Sequence, residues 1–293
     1  MCLIVFDWRP EAARGSVLTL AANRDEYLSR ETAPLDWWPD GSGVLAGRDL
    51  VGGGTWLGLS RDGRFAALTN YRAPQAFRAD APTRGTLVSD YLAGPAQPPL
   101  DYLRRVSTRA AQYNGFNLIV GDLARRELAW YCNQADSPPS MLPAGVHGIS
   151  NAVLDTPWPK LVRKRTELGS LVKSEDPPSL DALIGLMRDP RVAPDAELPS
   201  TGISLERERV LSAAFIETAG YGTRGTTALR VATDGAALSV DIAERSDDDG
   251  SHRLERPGNY ERRFAYEIES RYDGSGCGQG PGLGDHVRWP IAR

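Results

Sequence analysis

Cys2-Leu3-Ile4-Val5-Phe6-Asp7 opens the chain, and Val17-Leu18-Thr19-Leu20-Ala21 follows across a turn from Pro10 to Gly15. Two short apolar runs joined by Pro, Arg and Gly read as neighbouring strands over 2–8 and 16–22. If the two pair as a hairpin, the far end of the second returns beside the start of the first. Cys2 stands at that meeting point. Methionine aminopeptidases remove Met1 when the second residue is small, which leaves a cysteine bearing its own α-amine. A thiol titrates near 8.5 and an α-amine near 7.7–8.0, so a nucleophile and a base sit on one residue, an arrangement that suits amide cleavage. The plain alternative is a small buried hydrophobe, since free cysteine is among the most buried residue types.

Outward from this pair the pattern continues. Residues 55–60 and 64–70 form a hairpin across Arg61-Asp62-Gly63, an Asp-Gly turn signal. Segments 84–92 and 100–112 fit helices. Phe116 to Gly121 and Glu127 to Cys132 form a further hairpin, and Val146 to Ser150 is a short strand. Pro159 to Lys173 and Ser179 to Met187 have helical spacing, and Leu205 to Ile216 reads as helical or irregular. Strands return at Thr226 to Thr233, Ala237 to Ala243 and Phe264 to Ser270. From Tyr272 the chain carries six glycines and two prolines and reads as an irregular tail. The division is therefore one domain over 1–271 and a Gly-rich tail over 272–293. Hairpins between helical segments suit two antiparallel sheets stacked between helical layers, and argue against a doubly wound parallel sheet.

Composition excludes several classes. The formal net charge is −4 with acids and bases interspersed, so no basic block marks a nucleic-acid surface. The three cysteines, Cys2, Cys132 and Cys277, and the three histidines, His147, His252 and His286, are widely spaced. No CxxC or HExxH occurs, so neither a disulfide framework, a structural metal site nor a metal cofactor is expected. The first apolar run ends at Asp7, too short for a signal-peptide core, and no stretch reaches the roughly 18 apolar residues of a membrane helix. The expectation is a soluble, cytoplasmic protein with a small-molecule ligand and no nucleic acid; a homo-oligomer is compatible with it.

Chemistry-bearing residues gather at strand ends. Asn23-Arg24-Asp25-Glu26 follows the second strand directly. Alternation turns Asn23 and Asp25 one way and Arg24 the other, and Asp25 can reach Cys2 to hold its amine. Gly47-Arg48-Asp49-Leu50 leads into Gly52-Gly53-Gly54-Thr55-Trp56, which lacks the Lys-Ser/Thr of a nucleotide cradle and reads as a tight bend that brings Trp56 to the site. Asn70, before Tyr71-Arg72, and Asn151 each end a strand. Singly each is a turn residue; together they suit an oxyanion hole. Arg224, in Tyr221-Gly-Thr-Arg224-Gly, can reach Asp25 or the thiol, or stand on the surface. Trp37, Trp38, Trp56 and Tyr71 are candidate walls for an acyl or aromatic group, or plain core.

In order over roughly the first 230 residues, these motifs, with Gly115-Phe-Asn-Leu118, Gly148-Ile-Ser-Asn151 and Trp158-Pro-Lys160, resemble the NRDE family. That family includes the transport and Golgi organisation protein 2 homologues. It is similar in turn to N-terminal-nucleophile hydrolases of the choloylglycine hydrolase and penicillin V acylase type. The resemblance implies an α+β fold, a four-layer αββα sandwich of two antiparallel sheets. It also implies a catalytic set whose places are filled here by Cys2, Asp25, Asn70, Asn151 and Arg224. One place departs: the arginine of the hydrolases' Arg-Asn-x-Asp segment falls on Ala22, and Arg24 takes the variable position. Bile salts and penicillins are thereby doubtful substrates. Asn23, Arg24, Trp56 and Tyr71 remain as substrate-binding candidates. The expected function is a cysteine amidohydrolase acting on a linear C–N amide bond without a cofactor. The alternative, which also follows from the resemblance, is a carrier or chaperone for a hydrophobic ligand such as a lipid, acyl-CoA or haem.

Overall fold

The computed structural model describes residues 2–251 and 254–272. The Gly-rich tail, like Cys277, lies almost wholly outside the described residues. Among these residues, thirteen strands form two antiparallel sheets. The first has six strands in the order β10 (Gly145–Ile149), β1 (Cys2–Trp8), β2 (Gly15–Tyr27), β11 (Tyr221–Thr233), β12 (Ala237–Ser246), β13 (Tyr260–Glu269). The second has seven in the order β3 (Thr32–Trp37), β4 (Val44–Asp49), β5 (Leu57–Ser60), β6 (Arg64–Asn70), β7 (Phe116–Asp122), β8 (Glu127–Cys132), β9 (Ser140–Met141). Among the described residues five α-helices flank the sheets: α1 (Gly85–Ala93), α2 (Pro99–Ser107), α3 (Pro159–Leu171), α4 (Leu180–Met187) and α5 (Leu205–Leu211).

The sheets stack face to face, and the alternation of side chains along β1 shows how. Ile4, Phe6 and Trp8 enter the core between the sheets with Leu45, Leu59, Phe65 and Ile119. Leu3 and Val5 point the other way, onto Leu161 of α3 and Leu183, Ile184 and Met187 of α4. On the far side of the second sheet, Ala66, Leu118 and Val120 pack on Leu87 and Tyr91 of α1 and Leu103 and Val106 of α2. The four layers are thus helix, sheet, sheet, helix, as the resemblance implies. Because β1 and β2 are covered on both faces, they read as apolar runs instead of alternating stripes. Helices α2 and α3 start on Pro99 and Pro159, where a missing N–H costs nothing. Helix α4 is capped by Ser179, whose Oγ accepts from the Ala182 N–H at 3.1 Å.

Three strands lie where the sequence predicts none, the two-residue β9 among them. Strands β3 and β4 occupy the stretch around Trp37 and Gly47. Strand β3 contains Pro34, and its pairing with β4 is irregular between Ala33 and Asp36. It is an edge strand, and both the edge and the irregularity tolerate a proline. The helix expected over 100–112 ends at Ser107, and the segment after Leu211 runs on without helix.

Candidate functional site

In the first sheet every neighbouring pair is antiparallel, so the start of β1, the end of β2, the start of β11 and the end of β10 fall at one end. Cys2 lies opposite Arg24, Ile4 opposite Ile149, and Thr223 opposite Asp25. The predicted return of β2 to the chain start is therefore what forms. Ser150 Oγ donates to the Cys2 carbonyl at 3.1 Å and ties the end of β10 to the start of β1. The second sheet meets this end through β6. Asn151 Nδ2 donates to the Asn70 carbonyl at 2.8 Å, and the Arg72 N–H donates to the Asn151 carbonyl at 2.7 Å. A cleft of about 860 Å³ opens here between the sheets, with Cys2, Arg24, Trp56, Asn70 and Tyr71 in its wall.

The glycine-rich bend serves this cleft. Asp49 accepts from the N–H groups of Val51 and Gly52, both at 3.1 Å, and from Arg30 Nη2 at 2.7 Å. Gly54 has a φ of 74°, and a Cβ there would fall 2.5 Å from the Gly85 backbone. The bend is thus pressed against the start of α1, and it delivers Trp56 to the cleft.

Cys2 is 7% exposed, and burial pushes its thiol above the ordinary range. The Asp25 carboxylate pushes the same way, while the Arg24 charge and the Asp25 backbone N–H oppose it. Asp25 points away from Arg24, towards the helical layer on the first sheet. Its Oδ1 accepts from Thr223 Oγ1 at 2.7 Å. Burial also raises the Asp25 pKa, and the strongest opposing influence is the charge of Lys160. Lys160, in the first turn of α3, is 1% exposed, donates from Nζ to the Leu211 carbonyl at 2.9 Å, and is pushed down to about 8 by burial. Arg72 completes this buried group: Nη1 lies 2.6 Å from Glu208 Oε2, and the guanidinium sits 4.8 Å over the Trp158 ring. Two cations and two carboxylates thus share the dry region behind Cys2.

Other candidates sit elsewhere. Asn23 faces the helical layer, not the cleft: Nδ2 donates to the Met187 and Ala214 carbonyls at 2.9 and 2.7 Å, and Oδ1 accepts from Thr226 at 2.8 Å. Asn151 is 1% exposed and stands behind Asn70, outside the cleft wall. Arg224 bulges between Thr223 and Gly225 and does line the cleft. Its partners are Asp247 at 3.2 Å, Asp248 at 3.8 Å and the Arg30 carbonyl, not Asp25. Trp37 packs on Phe264 and Tyr266 beneath Arg61, and Trp38 lies under Arg48; both are core and edge packing, and neither reaches the cleft. Lys160 and Arg72 carry no single-residue signal that marks them for the site. Both lie within quoted motifs, and Lys160 is a lysine in a chain that uses arginine almost throughout. Among the described residues no cluster of three or more His, Cys, Asp or Glu could hold a metal ion, and no helix is long and apolar enough to cross a membrane.

Compared with known proteins, residues 1–248 match the family model described as Transport and Golgi organisation 2. The human Transport and Golgi organization protein 2 homolog is 38% identical over 270 residues, which is 86% of this chain and 96% of that protein. The mouse homolog is 36% identical over 261 residues, 84% of this chain and 93% of that one. The Drosophila melanogaster Transport and Golgi organization protein 2 is 29% identical over 247 residues, 76% and 85% of the two chains. Among solved structures, a Caenorhabditis elegans N-acylethanolamine-hydrolyzing acid amidase ortholog overlaps 64% of this chain and 85% of its own, with a TM-score of 0.41 and 10% identity.

Proposed function

The chain belongs to the Transport and Golgi organisation 2 family, and we propose that it is an amidohydrolase of linear C–N bonds with Cys2 as nucleophile once Met1 has been removed. One observation carries this reading. Cys2 opens a strand inside a ligand-sized cleft, with a buried carboxylate at its back and an asparagine at the facing strand end. A buried cysteine with no chemical task has no use for that company.

The steps follow from the groups present. The Cys2 sulfur bonds to the amide carbon as its proton passes to the α-amine. Asp25 holds that amine through its charge. The carbonyl oxygen becomes an oxyanion and receives the Asn70 carboxamide, whose backbone Asn151 fixes. The C–N bond then breaks, and the proton on the α-amine goes to the leaving nitrogen. Water releases the acyl group from the thioester, with the α-amine again acting as base. Arg224 positions the Arg30 loop and the cleft wall through its carboxylate pair. Ala22 lies in the core between the sheets, so no arginine reaches the substrate from that position, and Lys160 supplies the countercharge to Asp25 from α3 instead.

Intact mass before and after a thiol-reactive lactone or amide probe tests the reading. Loss of Met1 with one adduct on Cys2, absent in Cys2→Ala of unchanged fold, is the expected result. A retained Met1, or turnover that survives Cys2→Ala, overturns it. The carrier reading then takes its place, and the Trp56, Leu68 and Phe77 side chains in the cleft wall favour it as the apolar part of a ligand seat.

A further inference from the structure

The cleft around Cys2 has a charge opposite to that of the molecule. The whole chain carries −4, yet eight arginines and four carboxylates line this one cavity. Several of the arginines are matched within the protein. Arg30 is held by Asp49, Arg72 by Glu208, and Arg224 by Asp247. Three are not: among the described residues Arg78, Arg84 and Arg207 have no carboxylate within salt-bridge distance. Arg84 Nη1 donates to the Gly115 carbonyl at 3.0 Å, and Arg78 Nη2 donates to the Ala111 and Gln112 carbonyls at 3.0 and 2.6 Å. Both are thereby fixed on the segment 111–115, which Tyr71 also grips through its N–H on the Gly115 carbonyl at 2.9 Å. They form one wall of the cleft, with most of their five N–H donors directed at no protein group.

We infer that the ligand of this cleft carries a carboxylate or phosphate group, which Arg78 and Arg84 bind while the cleavable bond lies over Cys2. This rests on the amidohydrolase reading only for the second half; the anion site stands without it. Guanidinium groups fixed by backbone carbonyls and lacking a carboxylate are preorganised for oxyanions, which they meet in bidentate fashion. Burial lowers the Arg84 pKa, and it lies within electrostatic reach of Cys2 and Glu26. An anion placed against it would relieve that penalty.

Cys2 reports the local field directly. Iodoacetate and iodoacetamide react with the same thiolate, so the ratio of their rates does not depend on the thiol pKa. Relative to free cysteine, that ratio at Cys2 should favour iodoacetate about tenfold at low salt and fall towards the free-cysteine value in about 1 M salt. Arg84→Gln and Arg78→Gln should each remove most of the preference. Arg207→Gln, at an exposed position whose side chain holds no other element in place, should lower it partially and guards against a folding artefact. Millimolar inorganic pyrophosphate and citrate should slow alkylation by neutral iodoacetamide; protection by the first alone assigns a phosphate, by the second alone a carboxylate. A wild-type ratio equal to that of free cysteine, or protection by neither anion, overturns the inference. Anion preference without amide turnover would end the hydrolase reading and leave the anion site intact. Turnover without anion preference would do the reverse.

Discussion

Lys160 carries much of the electrostatic logic at the scale of single residues. Its ammonium is buried beside Asp25, and Asp25 is the carboxylate assigned to the Cys2 amine. Lys160→Met removes the largest influence holding the Asp25 pKa down. The acid limb of the rate of Cys2 acylation against pH should therefore move to higher pH in that variant. A limb that stays in place would show that Asp25 draws its charge from other neighbours. Lys160 also links stability to pH. Its folded pKa of about 8 lies below its ordinary 10.5, so the unfolded chain holds the proton more tightly. Stability from this group is lowest below pH 8 and rises between 8 and 10.5, by roughly 3 kcal/mol at most. Urea unfolding of the wild type minus Lys160→Met should show that rise; parallel curves would refute it. Asn70→Ala should cost about 10²–10³ in the rate of acylation with little change in KM. Equal losses in rate and binding would make Asn70 a ligand-binding group. Asn151→Ala acts one step removed, by freeing the Asn70 backbone, and milder loss is expected.

At the scale of elements, strands and helices are locked by buried polar side chains, among them Asn23, whose motif suggests a substrate contact. Asn23 joins β2 to α4, to the segment at Ala214 and to Thr226 of β11 through three buried hydrogen bonds. Asn23→Ala leaves two buried carbonyls and a threonine hydroxyl without that partner, and should destabilise the protein by roughly 2–4 kcal/mol. Chemical denaturation checks this, and Cys2 should alkylate at the wild-type rate under native conditions. Arg72 and Glu208 join the end of β6 to α5. Because both side chains are almost fully buried, Arg72→Met strands Glu208 and should cost about 3–5 kcal/mol. A loss below 1 kcal/mol would mean that water reaches Glu208. Gly54→Ala meets both a positive φ and the backbone of Gly85, so the bend must move away from α1. Trp56 would then be displaced from the cleft wall, and its tryptophan emission should differ from that of the wild type.

For the whole molecule, the antiparallel order of the first sheet explains why one end holds the chemistry. Four strand ends converge there, and the second sheet adds β6 and the glycine-rich bend. Much of this was legible in the chain itself. Short apolar runs with turn residues between them marked β1, β2, β5 to β8 and most of α1 to α4, because local propensity and periodicity act over a few residues. The hairpin of β1 and β2 followed from one turn, and with it the approach of Asp25 to Cys2. Strands β3 and β4 were not legible, since an edge strand with a proline and an irregular register lacks alternation. Nor could the chain alone say that Asn23 turns into the helices, that Arg224 pairs with Asp247, or that Lys160 and Glu208 stand behind a cysteine well over a hundred residues away. Those outcomes depend on which face of each strand the helices cover and on which charges find each other when water is expelled. Local sequence sets the strands, their turns and the residues gathered at strand ends. Tertiary packing alone decided which of those residues face the cleft, which are spent on holding it open, and how many arginines it leaves without a carboxylate.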